Sequence, residues 1–93
     1  MKKIVLLSAQ RALLSMITSN MRAIAVAMKD GVVYLRFYFA DSPSEDELDI
    51  LESVSGEMMA DFDDVSVETD YVVSNDRVPQ LLSEGSWVYM RKE

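Results

Sequence analysis

The sequence has no cysteine and no histidine. The first absence removes disulfides, thiolate catalysis and thiolate-bound zinc. The second removes the commonest general base and the commonest metal ligand. Glycine occurs three times, at Gly31, Gly56 and Gly85, too widely spread to form a phosphate-cradling loop. No run of about eighteen apolar residues exists, so nothing reads as a membrane span. Acid pairs can serve glycoside hydrolysis, but a domain of this size buries only about 60% of its unfolded surface and leaves little room for a substrate cleft. DFDDVSVETDYV, at 61 to 72, has the acid density of a calcium loop. Ser66 stands where that loop needs glycine, however, and Val72 where it needs glutamate. The expectation is no enzyme, no cofactor and no metal.

Positive charge is scarce, and the scarcity is local. No lysine or arginine lies between Arg36 and Arg77, an interval that holds thirteen of the sixteen acids. The net charge is −7 and the pI about 4.4. Such a protein repels nucleic acid and anionic membrane and attracts cationic surfaces. The expected partner is therefore a basic protein, with no direct nucleic-acid contact. Freedom from cysteine fits a reducing cytoplasm. The opening MKKIVLLSAQRALLSMI has a charged start, but its apolar run Ile4 to Leu7 is short. Gln10 and Arg11 interrupt it, and no small-x-small cleavage site follows, so export is not expected.

What is present is the material of a folded core. Apolar residues make up 49% of the chain, and no linker or repeat divides it. A single domain over residues 1–93 is expected. Residues 3 to 17 predict a helix whose broad apolar surface is either buried or shared with a second chain. MRAIAVAM and VVYLRFYF flank Asp30-Gly31, the strongest short-range hairpin signal. A two-residue turn there pairs Met28 with Val33, Val26 with Leu35 and Ile24 with Phe37 on one face. The other face then carries three alanines, 23, 25 and 27, opposite Tyr38, Arg36 and Tyr34. Ser42, Pro43 and Glu45 predict a helix start with a capping box. Leu48, Leu51, Val54, Met58 and Phe62 carry that helix to residue 62, with Gly56 allowing close packing. VSVETDYVV at 65 to 73 predicts a third strand and WVYMRK at 87 to 92 a fourth. The expected fold is α+β in two layers, a four-stranded antiparallel sheet with two helices on one face, in the order αββαββ.

Two surfaces stand out. The first is an acidic belt of Glu45, Asp46, Asp49, Glu52, Asp61, Asp63 and Asp64, with Glu68 and Asp70 beyond. A helix kept acidic only for solubility normally interleaves lysines and gains i,i+4 pairs. Here like charges sit within reach of one another, at a cost of a few tenths of a kcal/mol each. The second surface is the outer sheet face, with Tyr34, Arg36 and Tyr38, joined by Trp87, Tyr89 and Arg91 if the fourth strand simply alternates. Tyrosine, tryptophan and arginine are enriched at interface hot spots.

LLSAQRALL, TSNMRAIAV, LRFYF, SEDELDILES and WVYMRKE together resemble a family of small acidic bacterial proteins. Some of its members look like the immunity proteins of contact-dependent growth inhibition and related polymorphic toxin systems. The resemblance runs over nearly the whole chain but carries no motif that marks binding residues. It implies a cytoplasmic protein that binds and neutralises one cognate toxin domain, often a nuclease. A nuclease needs a basic surface to hold phosphates, and the acidic belt is the counterpart of such a surface. The alternative is a self-associating regulatory or adaptor domain that uses the outer sheet face. A homodimer is compatible with either.

Overall fold

A computed structural model describes residues 3–14, 16–62, 65–74 and 85–91. The elements are α1 (Lys3–Ala12), β1 (Met21–Lys29), β2 (Val32–Phe39), α2 (Glu45–Asp61), β3 (Ser66–Val73) and β4 (Ser86–Met90). The sheet order is β3-β2-β1-β4.

The β1–β2 hairpin follows from its turn. Asp30 and Gly31 both have positive φ, 53° and 78°, and Lys29 pairs with Val32. Met28 then meets Val33, Val26 meets Leu35 and Ile24 meets Phe37, as the turn requires. All but the partly buried Met28 are buried on one face against Val5, Ala9 and Leu13 of the α1 region and Leu51, Val54 and Met58 of α2. Both helices therefore cover the same side of the sheet.

The sheet is mixed, which corrects the all-antiparallel expectation. β1 pairs antiparallel with β2 and with β4, but β2 pairs parallel with β3. The reason is α2. Its 17 residues span about 25 Å, so it carries the chain from the end of β2 back to the level of its start. β3 must then run in the direction of β2.

Each helix also differs at one end from expectation. α1 is regular only to Ala12, and tighter turns follow, with Leu14 N–H donating to Arg11 and Met16 N–H to Leu13. The N-cap of α2 is Ser44, not Ser42. Ser44 Oγ accepts from Glu47 N–H at 3.1 Å, and Glu47 Oε1 accepts from Ser44 N–H at 3.0 Å. Both SPSE and SEDE fit the capping-box pattern. The second prevails because Glu47 has further partners: Thr18 Oγ1 donates to it at 2.5 Å and Asn20 Nδ2 at 3.2 Å. Asp61 is the last helical residue and Phe62 the C-cap.

Candidate functional site

The solvent side of α2 follows from its buried side. Glu47, Leu51, Val54 and Met58 face the core. Glu45, Asp46, Asp49, Glu52 and Glu57 therefore stand on the outer half, and all are exposed. None of these five makes an ion pair among the described residues. Glu57 belongs with the group although the sequence reading passed over it; its spacing from Ser53 and Asp49 was the available signal. The first-turn acids Glu45 and Asp46 gain from the helix dipole, about 0.3–1 kcal/mol each. Asp49 and Glu52 lie beyond the first turn and gain little.

The rest of the predicted belt is divided. Asp61 is a tie between helices, accepting from Ser8 Oγ at 2.6 Å and Arg11 Nη2 at 2.7 Å. The Ser8 hydroxyl first, and then the Arg11 guanidinium, hold its carboxyl below the ordinary range. Arg11 also supplies the cation that the last turn of α2 lacks. Asp70 is held by Arg36 in a two-pronged pair, Nε to Oδ1 and Nη2 to Oδ2, both 2.9 Å. That hydrogen bond raises the Arg36 guanidinium above its ordinary range. Glu68 is exposed beside Tyr34, on the sheet face opposite α2. Asp63 and Asp64 lie outside the described residues. The structure thus brings together four of the nine predicted acids on one helix face and neutralises two others.

The predicted outer-face cluster is corrected at two positions. Tyr38 is buried at 1% exposure, packed with Ala23 and Ala25 and joined by Val72 and Trp87. Its ring lies 5.7 Å from that of Trp87, so the alanine floor is roofed. Tyr89 points the other way. Ile24 pairs with Tyr89 but Ala25 pairs with Trp87, which leaves Val88 as an extra residue. This bulge turns Tyr89 toward the main core while Trp87 stays on the outer face. Tyr34 remains exposed, and Arg36 is half-exposed and occupied by Asp70.

The sequence reading missed Glu47 and Arg22. Burial pushes the Glu47 carboxyl up, but hydrogen bonds from Thr18, the Ser44 backbone, Asn20 and the Ser44 side chain outweigh it and hold the group below its usual range. Arg22 is the extra residue of a second bulge, between Met21 and Ala23. It is buried, and its Nη1 donates to the Ser74 carbonyl at 2.6 Å, tying β1 to the end of β3. Among the described residues, no group of three or more acids could hold a metal ion. No helix there is long and apolar enough to cross a membrane.

The comparisons with known proteins bear on the role of the whole chain. The model of the MafI2 immunity protein family matches residues 2–93. The chain belongs to the MafI2 immunity protein family. A MafI2 immunity protein is an inhibitor of a toxin and not an enzyme, so its partner is a toxin protein. No curated protein matches the chain. Among solved structures, the fold resembles a crystal structure from Shewanella oneidensis. The TM-score is 0.62 at 12% identity, covering 98% of this chain and 74% of that one. At that identity the likeness concerns the fold of this MafI2 chain alone.

Proposed function

We propose that the toxin neutralised by this immunity protein is a cationic domain of nuclease type, and that it docks on the solvent face of α2. One observation carries the reading: Glu45, Asp46, Asp49, Glu52 and Glu57 are exposed together with no cation to balance them among the described residues. A nuclease gathers lysine and arginine to hold phosphates, so its substrate surface is the natural complement of this face. Complementary fields also raise association toward ~10⁸–10⁹ M⁻¹s⁻¹ at low salt. Speed serves an inhibitor whose target is already folded and active, and the site of action is the cytoplasm. The test is stopped-flow association with the cognate toxin domain at rising ionic strength. The rate should fall steeply as ionic strength rises from about 0.01 M to about 1 M, over which the Debye length shrinks from about 30 Å to about 3 Å. A salt-independent rate rules the reading out.

A second copy of the chain is the reading for a different surface. Ile4, Leu7, Leu14 and Ile17 are exposed at 61%, 53%, 70% and 38%. The first three lie on one side of α1 and its following turn and border an open groove with Phe62 and the Arg11–Asp61 pair. The four are large apolar side chains exposed near one another, the kind of surface that often serves interaction on small proteins. α1 contains no acid, and the Arg11–Asp61 pair at the groove is internally balanced, so this face offers a cationic toxin no unpaired carboxylate. A second copy meets no acid-on-acid repulsion there. These observations favour α1 over the outer sheet face as the surface for self-association. Light scattering at micromolar concentration should give a dimer that Leu14→Glu dissolves; a monomer in the unchanged protein excludes it.

A further inference from the structure

Among the described residues, the outer edge of β3 is long and has no neighbouring strand. Strand edges present unpaired N–H and C=O groups, and folded proteins protect them with charged side chains, proline, bulges or short length; on β3 the only charges are the acids Glu68 and Asp70, which turn away anionic strands and not cationic ones. β3 has eight residues, its pairing with β2 is continuous, and residues 66 to 73 include neither lysine nor proline. It is the last strand on its side of the sheet among the described residues.

The surroundings of this edge are built to receive something. Tyr71 and Val73 lie on the helix-facing side of β3, opposite Phe37 and Phe39, yet they are 45% and 43% exposed. On α2, Ser55 Oγ donates to the Val67 carbonyl at 3.4 Å, which fixes the flank of the helix that faces β3. Leu48, Glu52, Ser55 and Met59 recur at i, i+4, i+7 and i+11 and share that flank. Leu48 and Met59 are both exposed, at 37% and 45%. Leu48 is two turns from Ser55, about 10 Å along the axis, which sets it near the level of Tyr71. The result is an apolar ledge above an open strand edge.

Charge selects the occupant. Glu52 stands on the ledge, with Glu45 two turns nearer the helix start, and Glu68 is exposed on the other side of the strand. Asp70, on the same face of the strand as Glu68, is already held by Arg36. A second copy adding its own β3 would set these acids against their counterparts. An extended segment that alternates apolar residues with lysine or arginine would set the apolar ones under Leu48 and beside Tyr71 and the cations toward Glu68, and one further cation on the helix-facing side would meet Glu52.

We propose that an extended cationic segment of the toxin adds to the free edge of β3 as a fifth strand. Main-chain hydrogen bonds along β3 then give affinity, and the acids above and below give the choice of partner. This rests on the reading that the partner is a cationic toxin, and it assigns the acids of α2 to capture and the edge of β3 to retention.

Amide hydrogen exchange followed by mass spectrometry tests it on the unmodified protein. The probe is the cognate toxin domain, with complex formation followed separately by co-elution. The amides of β3 that point away from β2 exchange fast in the free chain. In the complex, peptides spanning Ser66–Val73 should slow at least tenfold, while those of β4 keep their rate. A complex that forms with β3 exchange unchanged overturns the strand-addition proposal and leaves the cationic-toxin reading standing. Absence of any complex overturns both. Slow exchange in β3 that appears without toxin as protein concentration rises puts a second copy on the edge and also overturns it. As a second measurement, Leu48→Gln with Tyr71→Gln should speed dissociation at least tenfold with association changed less than twofold. An unchanged dissociation rate counts against the ledge.

Discussion

Thr18 and Glu47, 29 positions apart, are joined by a hydrogen bond of 2.5 Å from the Thr18 hydroxyl to Glu47 Oε2. The same carboxylate closes the capping box of α2 and accepts from Asn20, whose side chain also bonds both backbone groups of Asp41. One buried acid thus fixes the start of the acid-faced helix to the entrance of β1. Glu47→Ala should lower stability by about 1–2 kcal/mol, by loss of the cap and of satisfied buried partners. Thermal unfolding should shift by roughly 5–15 °C in a domain of this size. Glu45→Ala, on the exposed side, should stay within about 0.5 kcal/mol of wild type. Equal effects from the two would show that Glu47 is not structural.

Acid should destabilise the fold. Glu47 and Asp61 both have folded pKa values depressed from the ordinary carboxylate range. A depressed folded value means stability that is complete above the unfolded pKa, roughly 4, and is lost as pH falls through the folded value. The midpoint of thermal unfolding should be level between about pH 6 and 8 and fall below about pH 4. Asp61→Asn should show a shallower acid decline than wild type. A fold that gains stability on acidification would contradict both assignments.

Gly56 offers a gain. It lies inside α2 on the exposed side, and a Cβ there would meet nothing within 4 Å. The close packing expected of this glycine is absent. Gly56→Ala should raise stability by about 0.5–1 kcal/mol, because the helix loses its most flexible residue. Chemical denaturation measures it, and a loss of stability would reveal a neighbour that the free chain does not show.

The roof over the alanine floor should be a real second core. Tyr38 and Trp87 are the large side chains of that cluster, and Trp87 is the sole tryptophan. Tyr38→Ala should cost about 3 kcal/mol or more, in the range of large-to-small core changes. Tryptophan fluorescence should report its unfolding directly. If Tyr38→Ala unfolds like wild type, the outer face is an open surface after all.

How much of this was legible varied with the range of the force that decides it. The β1–β2 register follows from two turn residues and an alternation, both local, so Asp30-Gly31 settled six pairings. The direction of β3 depends on where a 17-residue helix sets the chain down, which periodicity does not record. The choice of Ser44 over Ser42 was made by Thr18 and Asn20, remote in sequence. Tyr89 was read onto the wrong face because one extra residue, Val88, reverses every alternation beyond it. The acid face of α2 was legible because helical spacing alone defines it. The neutralisation of Asp61 by Arg11 and of Asp70 by Arg36 was not, since both pairs are tertiary.

The most direct measurement is the association rate of the triple variant Asp46→Lys, Asp49→Lys and Glu52→Lys with the toxin domain, set beside wild type at low salt. All three side chains are exposed and outside the core, so the fold should persist, and circular dichroism verifies that. If the face of α2 captures a cationic toxin, association slows at least tenfold, and the difference shrinks as salt rises. A folded triple variant that associates as fast as wild type contradicts the account.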